Sequence, residues 1–120
     1  MAFASIVGKQ ASAVIIGPDV LFRNRRVQLA ILASRHALPA IYPWREAVEI
    51  GGLMSYGSDF TDAFRLVGMY AGRILKGEKA GDLPVQQPTK FELLINLQTA
   101  RTLGIEIPAT LLASADEVIE

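Results

Sequence analysis

Residues 39–57, PAIYPWREAVEIGGLMSYG, contain the same transition twice. An apolar segment at 39–42 is followed by Pro43 and Trp44, and a second one at 53–56 is followed by Gly57 and Ser58. Short apolar runs that stop at turn-forming residues are typical of buried strands. The stretch therefore leaves two alternatives: two ordinary loop ends, or two strands that deliver side chains to one shared site.

A third run of this kind lies upstream, at residues 13–16 (AVII), and stops at a Gly-Pro turn. Its β-branched side chains predict a buried strand. Residues 24–35 then carry apolar side chains at helical spacing, which predicts a helix that Asn24 caps. Residues 44–49 predict a short helix between the other two strands. The pattern from 13 to 57 is thus strand, helix, strand, helix, strand.

The strongest helical pattern of the sequence covers residues 59–76. Asp59 is suited to cap its start and Gly77 to follow its end. Acidic residues in the first turn and basic residues in the last turn match the helix dipole. One face forms a continuous apolar stripe. Its members are Phe60, Ala63, Phe64, Val67, Ala71, Ile74 and Leu75.

The remaining segments predict a single domain over residues 1–120. Residues 1–11 form an atypical start, and residues 78–89, with one glycine and two prolines, predict a linker-like loop. Alternation at 91–96 predicts a further strand, and helices are expected at 97–103 and 108–113. The acidic tail, residues 114–120, is expected to fray.

Strands that alternate with helices predict an α/β fold with a mostly parallel, doubly wound sheet. Successive strands of such a sheet point the same way, so their carboxyl ends share one edge, where open α/β sheets bind ligands. The residues after the three strands are therefore expected to converge on one ligand-binding edge. The candidate ligand-binding residues are Asp19, Phe22, Arg25, Tyr42, Trp44, Ser55 and Tyr56.

Each candidate has a structural alternative. Asp19 either accepts hydrogen bonds from a ligand or forms a turn with its own backbone. Arg25 and Arg26 either attract a carboxylate at a helix start or are solvated or paired with Asp19. The aromatic rings at Tyr42, Trp44 and Tyr56 either stack on a flat ligand or pack in the interior.

Composition excludes several classes of function. Twelve basic residues balance twelve acidic ones, so the chain lacks the positive field that nucleic-acid binding needs. The absence of cysteine removes disulfides and thiolate chemistry. His36 is the only histidine and is expected at a helix end, while Glu46 and Glu49 are expected to be solvated. No nucleophile, cofactor motif or metal-ligand set is recognisable, so an enzyme is not expected.

Localisation follows from the start of the chain as written. The segment 1–17 lacks a basic region before its apolar part and does not match a secretory signal. No apolar run reaches the roughly 20 residues that a membrane helix needs. From these features alone the chain is expected in the cytoplasm.

From about Ser12 onward, the sequence resembles the C-terminal part of substrate-binding proteins of ABC importers. The subgroup is the one related to tryptophan- and aromatic-amino-acid-type binding components. The blocks that carry this resemblance are GGLMSYG (51–57), RILKG (73–77), DLPVQQPTKFEL (82–93) and LLASADEVIE (111–120).

The resemblance implies one incomplete lobe of a periplasmic-binding-protein-like type I fold. It also implies a periplasmic location, an amino-acid-like or carboxylate ligand and an ABC permease as partner. Ligand contacts are expected from loops 17–19 and 42–44 and from Ser55 and Tyr56. Family members are more than twice as long, so we expect an unpaired strand edge and an uncovered long helix.

An unpaired strand edge and an uncovered long helix predict a homodimer or higher homo-oligomer, formed by strand pairing or by exchange of the long helix. It also leaves an alternative function open. In that alternative, the chain is a self-associating structural or sensor module that keeps half of the family cleft and does not take part in transport.

Overall fold

A computed structural model describes residues 2–120, which pack as two compact units. The first unit contains residues up to Gly57 together with Glu92–Glu120, and the second contains Ser58–Phe91. The strands are β1 (Val14–Ile15), β2 (Ala40–Tyr42), β3 (Met54–Ser58), β4 (Phe91–Asn96) and β5 (Glu117–Ile119). The helices are α1 (Ala2–Gly8), α2 (Val20–Asn24), α3 (Arg26–Arg35), α4 (Arg45–Glu49), α5 (Phe60–Leu75), α6 (Leu97–Thr102) and α7 (Ala109–Ser114).

Within residues 2–120, the strands form one sheet in the order β1-β2-β3-β4-β5. The pairs β1–β2, β2–β3 and β4–β5 are parallel. The N–H of Asn96, at the end of β4, donates to the carbonyl of Leu53, just before β3. At the other end of the pair, the N–H of Asp59 donates to the carbonyl of Lys90, just before β4, so β3 and β4 run antiparallel. The predicted mostly parallel α/β sheet is confirmed, and the beginnings of β4 and β5 lie at the edge where β1 to β3 end.

The core of the first unit lies between the sheet and the helices that follow its strands. β4 ends in three buried residues, and α4 contributes two more, Ala47 and Val48. Phe3 of α1 is also buried, and its ring stacks on that of His36 at the end of α3, with 6.1 Å between ring centroids. Phe3 therefore attaches α1 to the core of the first unit.

Two of the predicted elements differ in the structure. The helix expected at 24–35 begins at Arg26 as α3, and Asn24 does not cap it, because Asn24 is the last residue of α2, a short helix that was not predicted. Asp19 caps α2 by accepting a hydrogen bond from the Leu21 N–H. The acidic tail is ordered as β5, because Leu93 and Asp116 fix the register of β5 on β4. The prediction of a frayed end was therefore wrong.

The second unit consists of α5 and the loop that follows it, with a 3₁₀ turn at Ala80–Asp82. Asp59 caps α5 through the N–H groups of Thr61 and Asp62, and Lys90 pairs with the Asp59 carboxylate at 3.1 Å. Gly77, at φ 106°, ends the helix in a conformation that favours glycine. The Tyr70 hydroxyl donates to the Pro84 carbonyl at 2.6 Å and fixes the loop against the helix.

In the described part of the chain, no helix is both long and apolar enough to cross a lipid bilayer.

Candidate functional site

The site is defined by the segments that follow β1 and β2 and by the end of β3. Ile15 lies opposite Ile41 in the β1–β2 ladder, and Tyr42 lies opposite Ser55 in the β2–β3 ladder. Because all three strands run in the same sense, the residues beyond them lie along one edge of the sheet. The predicted side-by-side arrangement of these strands is confirmed, and we refer to this region as the strand-end edge.

An ion pair connects the first two segments of the strand-end edge. Arg23 lies in the last turn of α2, which follows β1, and Glu46 lies in the first turn of α4, which follows β2. An Arg23 Nη2 atom lies 3.0 Å from Glu46 Oε1. Arg26, at the start of α3, donates from Nη1 to the Arg23 carbonyl at 3.1 Å. The three side chains form one charged cluster, which we call the Arg23–Arg26–Glu46 cluster.

The second and third segments are connected by a close backbone approach. A Cβ atom on Gly57, near the end of β3, would overlap the carbonyl oxygen of Pro43, which follows β2. A glycine is therefore required at position 57 for the two backbones to lie this close. Only a residue without a side chain lets the loop after β2 pack directly on β3.

Three of the predicted ligand-binding residues lie in the interior. Tyr42, Trp44 and Ser55 are 1%, 4% and 2% exposed. Burial disfavours the phenolate form of Tyr42 and raises its pKa to about 12. In this conformation these side chains support the strand-end edge from beneath and present little surface to a ligand.

The other four predicted residues lie at the surface. The Asp19 carboxylate accepts the Leu21 N–H at 2.7 Å, which is the turn-forming role. Phe22 is 41% and Tyr56 56% exposed. Arg25 is exposed and donates from Nη1 to Gln28 at 3.4 Å. Of the predicted set, Phe22 and Tyr56 present the most apolar surface to solvent.

The electrostatics of Glu46 favour an ionised carboxylate. Burial opposes its ionisation, but its own backbone N–H and the neighbouring Arg23 and Arg26 outweigh that effect, so its pKa lies below its ordinary value. Glu46 Oε2 and Arg26 Nε are both buried and have no hydrogen-bond partner among residues 2–120. Buried polar atoms of this kind are rare, and each one is stabilised when a partner is supplied. The cluster thus contains one acceptor atom and one donor atom that lack a partner in the described residues.

A second cluster of ion pairs is centred on Arg45, which follows β2. Arg45 of α4 contacts Glu49, Glu92 at the start of β4, and Glu117 at the start of β5, at 3.0, 3.1 and 2.8 Å. These three carboxylates raise the Arg45 pKa. Arg45 therefore binds α4 to the antiparallel half of the sheet.

Sequence reasoning missed the roles of Arg23 and Glu46, and it considered Arg26 for a carboxylate without placing it beside Glu46. Glu46 was expected to be solvated because nothing near it in the sequence marks a partner, and Arg23 lies 23 residues away. The break between α2 and α3 turns Arg23 and Arg26 toward α4, and that break has no clear signal in the sequence. Among residues 2–120, no group of three or more His, Asp or Glu side chains is arranged to hold a metal ion.

The sequence and the fold together place the chain in a known class. The family of ABC transporter substrate binding proteins matches residues 1–119, and the chain belongs to this family. The resemblance stated from the sequence is confirmed. The family is defined by substrate binding and is not a class of enzymes.

Individual relatives agree with this assignment. The chain is 27% identical over 105 residues to a tyrosine-binding protein of Clostridioides difficile. This match covers 88% of the chain and 30% of that protein. A conserved domain protein from Vibrio cholerae superimposes with a TM-score of 0.89 at 27% identity, covering 98% of the chain and 39% of that structure. An ABC domain from Streptococcus pneumoniae in complex with L-Trp gives a TM-score of 0.85 at 27% identity, covering 96% and 40%. The chain thus spans well under half the length of these relatives.

Proposed function

We propose that the chain binds a small amino-acid-like or carboxylate solute at the strand-end edge, as part of the solute-binding component of an ABC importer. An ABC permease would then receive the solute, on the outer side of the membrane that the importer spans. The observation that carries the proposal is the Arg23–Arg26–Glu46 cluster at the edge formed by three parallel strands.

The chemistry of the cluster suits a solute with charged polar groups. An ionised Glu46 favours an ammonium or hydroxyl group, and Arg26 favours a carboxylate. Phe22 and Tyr56 add exposed aromatic surface for an apolar side chain. Relatives support the same class of solute, since one is a tyrosine-binding protein and another is in complex with L-Trp.

Thermal unfolding with added L-tyrosine or L-tryptophan tests the proposal. A ligand that binds only the native state raises the melting temperature in proportion to ln(1 + [L]/Kd). We expect a dose-dependent rise for the chain, and a much smaller rise for Glu46→Gln and for Arg26→Gln. Glu49→Gln is the matched control, because it removes a carboxylate from the same helix outside the Arg23–Arg26–Glu46 cluster.

Two results would contradict the proposal. The first is a melting temperature that no amino acid or small carboxylate changes at millimolar concentration. The second is an equal rise in all four proteins, which would place the binding site elsewhere.

A further inference from the structure

The first turn of α4 carries two neighbouring residues, Arg45 and Glu46, whose side chains belong to different charged clusters. The Arg45 guanidinium contacts three carboxylates, two of which lie in β4 and β5. Glu46 belongs to the Arg23–Arg26–Glu46 cluster, which carries the proposed ligand site. Adjacent residues of a helix point about 100° apart, so one turn can meet different segments on two of its sides. The first turn of α4 thus connects the two clusters.

The helix α4 is too short to fix its own position. It has five residues, and isolated helices of that length are unstable in water. No side chain caps its start, since Trp44 at the N-cap position makes no capping hydrogen bond. Contacts with other segments therefore determine where its first turn lies.

Apolar burial holds α4 on the sheet. Trp44, Ala47 and Val48 are 4%, 0% and 0% exposed, and the side-chain amide of Asn96 donates to the Val48 carbonyl at 3.3 Å. Burial of apolar surface is favourable in any direction, so it keeps the helix on the sheet and does not by itself fix the rotation of its first turn. Ion pairs, which depend on direction, supply that constraint.

The contacts of Arg45 bridge α4 to two strands of the sheet. Its guanidinium nitrogens lie 3.1 Å from Glu92 Oε2 in β4 and 2.8 Å from Glu117 Oε2 in β5, and these strands are adjacent. The third contact, to Glu49, stays within α4 and does not connect it to the sheet. A guanidinium is a rigid planar fork of donors, so a bridge to two strands defines one orientation of the turn. Networks of several charges contribute where isolated exposed pairs contribute little.

We propose that Arg45 is a positioning residue of the ligand site: through α4, it holds the Glu46 carboxylate against the two arginines of its cluster. The proposal rests on the proposed function, because it assigns a support to the site proposed there. Arg45 itself does not contact the solute. Without its partners in β4 and β5, the first turn of α4 rotates and Glu46 moves away from the arginines. This effect on Glu46 can be measured without a ligand.

The pKa of Glu46 tests the positioning in the ligand-free chain. Carbon-detected NMR of the side-chain carboxyl group follows this pKa in wild type and in the double variant Glu92→Gln/Glu117→Gln. Removing two negative charges would by itself lower the pKa of Glu46, because nearby like charges disfavour ionisation. Loss of positioning has the opposite sign, since Glu46 then leaves the arginines that keep its pKa below the ordinary value. We expect a rise toward 4.5.

Ligand affinity is the second measurement. Titration calorimetry should show that Glu92→Gln/Glu117→Gln binds L-tyrosine or L-tryptophan about threefold to tenfold more weakly than wild type, as expected for residues of one coupled network. Glu78→Gln is the matched control, because it removes a carboxylate that pairs with an arginine at 2.8 Å in the second unit. Its affinity should equal that of wild type.

The two measurements separate this proposal from the proposed function. A Glu46 pKa that is unchanged or lower in the double variant overturns the positioning role, whatever the ligand result. A wild-type chain that binds and a double variant that binds equally well also overturn it. A wild-type chain that binds no amino acid contradicts the proposed function, and the pKa alone then decides whether Arg45 positions Glu46.

Discussion

The strand-end edge and α5 differ in the relation between sequence signal and packing. At the strand-end edge, short segments with weak patterns give some of the most deeply buried side chains, including Tyr42 and Trp44. In α5, the clearest helical pattern of the sequence gives a helix without a buried residue. A strong periodic signal therefore reports the conformation of a segment and the need for a partner. It does not report which surface covers the apolar face of the helix.

The largest expected difference between the two regions is the effect of removing one leucine side chain. Leu94 of β4 is 1% exposed, and Leu75 of α5 is 88% exposed. Leu94→Ala should lower the free energy of unfolding by about 2–5 kcal/mol, because it leaves a cavity in a packed core. Leu75→Ala should change it by less than about 0.5 kcal/mol. Denaturant unfolding followed by circular dichroism measures both.

Equal losses of stability for these two variants would break the comparison. They would show that Leu75 of α5 is packed as firmly as Leu94 of β4. A change in the denaturant slope m would point instead to an altered unfolded state.

Two glycine substitutions should act in opposite directions. Gly57→Ala places a methyl group against the Pro43 carbonyl and should lower the free energy of unfolding by about 1–3 kcal/mol. Gly68 of α5 has open space around its Cβ position, so Gly68→Ala should raise stability by about 0.5–1 kcal/mol through helix propensity. Thermal unfolding of both variants at low concentration gives the two signs directly.

A neutral result for Gly57→Ala would mean that the loop after β2 moves freely away from β3. In that case the backbone approach at the strand-end edge would not be a fixed feature of the fold. A destabilised Gly68→Ala would mean that something already packs on that side of α5.

The smallest expected effect is a pH dependence from Glu46. Its pKa in the folded chain lies below its ordinary value of 4.5. Its contribution to stability is therefore complete above pH 4.5, and it is lost as the pH falls through the lower, folded-state pKa. Wild type and Glu46→Gln should differ by at most about 1 kcal/mol near neutral pH, and the difference should shrink below pH 4.5. Urea titrations at several pH values measure this difference.

A difference that stays constant down to pH 3 would contradict the assignment of an ionised, paired Glu46. The corresponding variant of the second ion cluster, Glu49→Gln, serves as a reference, because Glu49 pairs with Arg45 and lies outside the Arg23–Arg26–Glu46 cluster.

Most of the fold could be predicted from the sequence, because its signals are local. The three short strands at 13–16, 39–42 and 53–56 were recognisable from their apolar runs and the turn residues that end them. The long helix was recognisable from its stripe, its Asp59 cap and its terminal Gly77. The tail 114–120 was mispredicted because its order depends on pairing with β4, more than 20 residues away in the sequence.

Less of the candidate site was predictable, since side-chain roles depend on neighbours from other segments. The sequence predicted that the residues after the three strands share one edge of the sheet, and it named Tyr42, Trp44 and Ser55 there as contacts for a ligand. Whether a side chain after a strand faces solvent or the interior is set by the segments packed around it, and here all three side chains are buried. The Arg23–Arg26–Glu46 cluster depends on the break between α2 and α3, which only the folded backbone reveals.

By itself, the sequence determined which segments become strands and helices and which family the chain resembles, since backbone preference and apolar spacing act over a few residues. The tertiary structure decided which of the edge residues are buried, which charges meet, and which side chains of α5 are exposed among residues 2–120. Those outcomes depend on packing and on Coulomb interactions between segments that are far apart in the chain, and the order of residues alone does not specify those distances.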